Sequence, residues 1–200
     1  MIYRLTPDYR PFYQKPYSCV PATMQWILYR HDLDILDQET IGIALGLRLS
    51  LKCKDLFDNK NIEYLPEVPE GGYGTQIEKE KYSIQKFFDK YSYPLTFSRM
   101  YSFEDKGKVR DFIIKHLSKG DDLILRYSNI ILKDADQKRY GHFSVIAQFN
   151  DKTNIATLGN PTLPHFINIT LDQLILSTSD KIDGIQRGLY VVSKKSNPSR

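Results

Sequence analysis

The chain has little with which to crosslink itself. Its 200 residues include two cysteines, Cys19 and Cys53, and no CxxC pair. That excludes a cysteine-built zinc site and a disulfide scaffold. One bridge between the two is the most that oxidation could add, and a chain of this size reads as holding two free thiols. Long apolar runs are missing too. The best of them, "LILRYSNIIL", falls far short of the ~20 residues of a membrane span. The opening "MIYRLTPDYRPFYQ" has no apolar signal core. The expected setting is the cytoplasm, away from membranes, with export by another route left open. Nor does one sign of charge dominate: 28 Lys and Arg face 24 Asp and Glu, a net charge of +4. Most lysines alternate with acids, as in "EKEKYSIQKFFDK", which reads as a solvated helix face. With no basic stripe, nucleic acid is not an expected partner.

What is present suffices for an ordinary core. Hydrophobic residues make up 41% of the chain and charged residues 26%, which separates it from disordered sequences. The 14 tyrosines are scattered and read as half-buried surface residues. There is no internal repeat and no low-complexity tract, and the length fits one domain spanning 1–200.

Prolines at 7, 11 and 16 predict an extended start. Ser18 is placed to cap a helix from Cys19 to about Arg30. Pro21 falls in its first turn, and Val20, Met24, Ile27 and Leu28 share a core-facing side. A second helix is expected from about Gln38 to Leu47, capped by Asp37. Thr75 and Glu78 read as a capping box for a third helix through about Lys90. "YPLTFSRMY" reads as a strand, and "EDKGKVRDFIIKHLSKG" as a fourth helix ending at Gly120. Beyond it the period changes. "DDLILRYSNII", "YGHFSVIAQF", "TNIATLG" and "RGLYVVS" read as strands, with a short helix at "TLDQLILS". The expectation is an α+β fold: a helical lobe over about 18–118 packed on an antiparallel sheet lobe over about 119–195.

A thiol in the first turn of a helix sits near orphan N–H groups and the positive end of the helix dipole. Both favour thiolate, so Cys19 is a candidate nucleophile with a lowered pKa. Cys53, in "LKCKDL", reads as structural. A nucleophilic thiol needs a base. His31 ends the helix that Cys19 begins, and about 12 residues at 1.5 Å each keep the two roughly 18 Å apart. His116 sits between lysines and His165 in a proline-rich loop. His142 opens an apolar strand directly after a glycine, which makes it the candidate base. If the hairpin "AQFNDKTNIA" turns at Asp151, His142 lies opposite Asn160, whose amide could orient the imidazole. A turn half a residue later would pair His142 with Pro161 instead. The Gln14 amide, five residues before Cys19, could join the Cys19 N–H in an oxyanion hole.

The order Gln14, Cys19, His142-Phe143-Ser144-Val145, Asn160-Pro161 resembles the papain-like cysteine peptidases, and more narrowly the C39 and C39-like group. The "GYGT" at 72–75 resembles the segment between them. The resemblance implies a papain-like α+β fold, a Cys-His-Asn triad with Gln14 beside it, a peptide or protein substrate, and neither metal nor organic cofactor. Two positions depart from the pattern. Val20 stands where the group usually has glycine, and Asn160 stands where C39 itself more often has Asp. The same triad would also serve an acyltransferase, a transglutaminase or a deamidase, because the cleft chooses the acceptor. An inactive binding module with Cys19 and His142 as relics is the non-enzymatic alternative.

Overall fold

The computed structural model describes residues 1–6, 8–70, 72–100, 105–129, 140–163, 165–179 and 187–195. Pro7, the Tyr101 end of the first expected strand, Glu104 ahead of the fourth helix and residues 130–131 fall outside them.

Local chemistry sets the helix boundaries. Helix α1 spans Cys19–Arg30. Ser18 precedes it but does not cap it. Its hydroxyl instead donates to Pro16 O at 3.2 Å, and its N–H donates to Lys15 O. A tight turn with Tyr17 at φ 58° fixes the entry, which leaves the first-turn N–H groups without a side-chain cap. Helix α2 spans Gln38–Ala44 and is capped as expected: Asp37 Oδ1 accepts from Glu39 N and Thr40 N, both at 2.9 Å. It stops short of Leu47 because Gly46 turns left-handed at φ 69°.

The capping box at Thr75 does not form. The Glu78 carboxylate is taken by Arg99 and Arg126, so it cannot reach back to Thr75. The helix begins later, as α3 (Ile84–Lys90), with Ser83 Oγ accepting from Lys86 N. Helix α4 (Lys106–Lys119) starts on the Asp105 cap and ends where Gly120 adopts φ 79°. Helix α5 (Leu171–Ser179) has a reciprocal box. Thr170 N donates to Gln173 Oε1 at 2.8 Å, and Gln173 N donates to Thr170 Oγ1 at 3.2 Å.

The strands are β1 (Ile2–Arg4), β2 (Arg48–Ser50), β3 (Glu63–Leu65), β4 (Leu95–Met100), β5 (Asp122–Ser128), β6 (Gly141–Asn150), β7 (Ile155–Gly159), β8 (Ile167–Thr170) and β9 (Gly188–Lys194). The main sheet is antiparallel in the order β4-β9-β5-β6-β7-β8. β1 pairs with the second half of β6, beyond the stretch that β5 occupies. The sheet therefore draws β1 and β4 from the part of the chain before residue 119. β2 and β3 form a separate parallel pair.

One large core joins α1, α3, α4, α5 and the main sheet. A smaller cluster of Leu47, Leu49, Phe57 and Ile62 lies under β2 and β3. A buried ionic knot ties α1 to the start of β5. Asp122 Oδ1 accepts from Tyr9 OH and Arg30 Nε, each at 2.6 Å. Its Oδ2 bonds His31 Nε2 at 2.6 Å and accepts from Arg30 Nη2 at 3.0 Å. Burial alone would raise the Asp122 carboxyl, but the bonds from His31 and Arg30 hold it below the usual range. Among the described residues, no helix is long and apolar enough to cross a membrane.

Candidate active site

β6 carries the imidazole and β7 ends at its partner. The two strands pair Asn150 with Ile155 and Gln148 with Thr157, then Ile146 with Leu158 and Val145 with Gly159. The turn between them is longer than expected: residues 151–154 make it, with Asn154 at φ 54°. His142 and Asn160 are therefore not directly opposed. A bulge between Ile146 and Gln148 then shifts the register by one residue. Past it, Asn160 falls beside Ser144, diagonal to His142 on the same face of the sheet. Without the bulge it would point to the other face.

His142 Nε2 lies 2.8 Å from Asn160 Oδ1, and both residues are buried. The same oxygen accepts from Thr162 N at 2.9 Å and from Thr162 Oγ1 at 2.6 Å. A backbone N–H can only donate, so the atom facing it is the amide oxygen, and Nε2 carries the imidazole proton. That leaves the Nδ1 lone pair as the basic position. Asn160 Nδ2 donates to Tyr127 OH at 3.4 Å, and Tyr127 OH lies 3.0 Å from Ser144 Oγ. The ring edges of Tyr127 and Tyr140 flank the imidazole.

Cys19 is the first residue of α1 and a free thiol, half-buried. The N–H groups of Phe143, the residue next to His142, and of Val20 favour its thiolate form. The expected low pKa is not what the site gives. Burial pushes the thiol up to about 11, against the opposing pull of those N–H groups and of the Arg126 charge. Burial likewise pushes His142 down to about 4, against the Asn160 bond. Loss of hydration outweighs the helix end here and favours the neutral form of each group.

Gln14 is tied to the same corner through its main chain, its N–H donating to Pro161 O at 3.0 Å. Its side-chain Oε1 is buried with no hydrogen-bond partner among the described residues. Val20 is buried in the core. The 72–75 segment runs beside the turn before Cys19. Gly74 exchanges backbone bonds with Arg48, and the Tyr73 ring lies 5.2 Å from that of Tyr17.

The other histidines have different partners. His31 is in the Asp122 knot, His116 Nδ1 lies 2.7 Å from Asp121, and His165 is exposed. Cys53 packs on the small cluster under β2 and β3.

Several groups around the imidazole were not nominated from the sequence. Tyr127, Ser144 and Thr162 complete the polar network around Asn160. Trp26, two turns along α1 from Cys19, lies so close to Gly159 that a β-carbon there would overlap its ring. A glycine inside a strand directly before Asn-Pro was a readable signal of close approach. Arg126 and Glu78 had no such signal, because 48 residues separate them.

No protein-family profile matches the chain, and no curated protein does. Among solved structures it is similar to xylellain, a cysteine protease from Xylella fastidiosa. The identity is 14% and the TM-score 0.52, over 98% of this chain and 86% of that one. The architecture is thus an α+β fold shared with that cysteine protease. These comparisons do not show the narrower C39 grouping.

Proposed function

We propose that the protein is a cysteine peptidase that hydrolyses amide bonds of a peptide or protein substrate through a thioester acyl-enzyme. The observation that carries this reading is the buried His142–Asn160 bond. It fixes the imidazole tautomer and leaves Nδ1 as the base for the thiol that opens α1.

In this reading the neutral pair reacts by general-base attack. Nδ1 of His142 takes the thiol proton as sulfur adds to the scissile carbonyl carbon. The resulting oxyanion is met by the Cys19 N–H and the Gln14 side-chain amide. Nδ1 then returns the proton to the departing amine, leaving the acyl group on sulfur. Water, deprotonated by Nδ1, attacks the thioester and releases the acid, and the proton restores the thiol. Asn160 accepts from Nε2–H throughout and stabilises the imidazolium. Two deprotonations through one nitrogen need the ring held in one orientation, which is the role of Asn160.

The test is to incubate the purified protein with an unstructured protein substrate and determine product masses. New chain ends, absent with Cys19→Ala and with His142→Ala, are the expected result. Joined molecules would point to acyl transfer, and a side-chain amide turned to acid would point to deamidation. Products unaffected by Cys19→Ala, or none at all, would overturn the enzymatic reading and leave a binding module.

A further inference from the structure

Gln14 depends on its main chain for its position, because its buried side-chain oxygen has no hydrogen-bond partner among the described residues. Its own N–H donates to Pro161 O, next to Asn160. The backbone groups of its two neighbours are taken by a single side chain. Gln38, the first residue of α2, accepts from Lys15 N at 2.8 Å through Oε1 and donates to Tyr13 O at 2.6 Å through Nε2. It spans Gln14 as a peptide group of a neighbouring strand would. The Gln38 amide is itself held. Gln25, buried on α1, donates through Nε2 to Leu36 O at 2.9 Å, which leaves its Oε1 to accept from Gln38 Nε2 at 3.0 Å. Lys15 N can only donate, and Tyr13 O and Leu36 O can only accept, so both amides have one orientation. Glu39, the next residue of α2, is buried too. Its carboxylate pairs with Lys15 Nζ and accepts from Asn59 N at 2.7 Å and Asp58 N at 3.1 Å. The segment carrying Gln14 is thus tied to α2 through its neighbours and to the end of β7 through its own N–H.

We infer that Gln38 is a positioning residue for Gln14: its side-chain amide, held by Gln25, sets where the Gln14 amide stands. The inference rests on the peptidase reading, in which Gln14 meets the oxyanion. An oxyanion donor acts in the transition state, so a displaced Gln14 lowers kcat and leaves KM almost untouched. Gln38→Leu removes the bonds to Tyr13, Lys15 and Gln25 together. Gln38→Glu keeps the acceptor for Lys15 N but sets an oxygen against Tyr13 O and Gln25 Oε1, so it acts in the same direction.

The experiment has two arms, both in the full chain carrying Cys53→Ser. The first is amide hydrogen exchange followed by NMR. In Gln38→Leu the Gln14 N–H, whose bond to Pro161 O the substitution does not touch, should exchange faster than in the parent, while the N–H groups of α4 keep their parent rates. An unchanged Gln14 N–H would overturn the inference. The second arm is kinetic. Gln38→Leu should lower kcat on one peptide by about tenfold with KM within about twofold, part of the ~100-fold or more that loss of an oxyanion donor costs. Cys19 alkylation by iodoacetamide, which forms no oxyanion, should stay at the parent rate. In a Gln14→Ala background, Gln38→Leu should cost nothing further. A second full loss there, or equal losses in hydrolysis and alkylation, would mean that Gln38 only braces the fold and would overturn the inference. If Gln38→Leu does not fold, Gln38→Glu is read by the same two arms. If the parent cuts nothing, the peptidase reading has failed in the product assay, and the exchange arm still decides whether Gln38 holds Gln14.

Discussion

Gly159 and Trp26 occupy one volume between them: a β-carbon on Gly159 would overlap the indole and stand 2.9 Å from Val145 Cγ2. Asn160 is the next residue. Gly159→Ala must move either the ring or the end of β7, and overpacking of this kind costs about 1–3 kcal/mol. Urea unfolding followed by Trp26 fluorescence should show the loss. Because the displaced strand carries Asn160, kcat should fall as well; an unchanged kcat would separate the packing from the chemistry.

Asn160→Ala removes the acceptor of three hydrogen bonds, one from His142 and two from Thr162. Hydrolysis should fall by about a hundredfold, within the range for groups that support acid–base transfer. Asn160→Asp keeps the acceptor and should recover most of that loss, measured as kcat/KM on one peptide.

Deleting Ala147 tests the bulge. Gln148 stays opposite Thr157 and Ile146 opposite Leu158, so Asn160 keeps its place beside Ser144 on the face of His142. A shortened strand that still folds, judged by circular dichroism, should retain hydrolysis; lost hydrolysis would mean that the bend of β6, not its register, aims the imidazole. Leu5 N donates to Ala147 O, so some loosening of the β1 edge should accompany the deletion.

The fold should weaken in acid through His142. Its folded pKa, about 4, lies below the ordinary 6.5, so the unfolded chain binds the proton more readily. Stability contributed by the neutral form is complete above pH 6.5 and is lost as pH falls from there towards 4, up to about 3 kcal/mol. Urea midpoints between pH 7 and 4 should drop, and His142→Gln should flatten that part of the slope.

Asp122→Ala should be the most damaging of the changes proposed outside the site. It strands the Arg30 guanidinium in the core with its main carboxylate partner gone. Breaking a buried pair from one side costs about 3–5 kcal/mol. Thermal unfolding should show it, with Cys19 alkylation unchanged in whatever fraction stays folded.

Much of this was legible because it is written locally. The Asp37 cap, the Gly120 stop and the run of apolar residues in α1 depend on neighbours within a turn or two. The change of period after residue 120 announced the sheet. β2, β3 and β8 were not anticipated, since three or four residues carry no measurable period. Thr75 and Glu78 have the spacing of a capping box, yet two distant arginines claim the carboxylate. The dipole at Cys19 was read correctly as a force but not weighed against burial. The meeting of His142 with Asn160 was anticipated from a register that proved wrong. A longer turn and a bulge, neither with a sequence signature, combine to put the same two residues on one face.

The place of β9 has a consequence for how the chain is made. It is the last strand among the described residues, yet it lies between β4 and β5. Until it emerges from the ribosome, β4 has no neighbour and β5 has one bare edge. At roughly 5–20 residues per second, about 10–30 seconds pass between the addition of Cys19 and that of residue 190. A half-built chain thus presents the Cys19 thiol while β5, the strand beside that of His142, still has an unpaired edge.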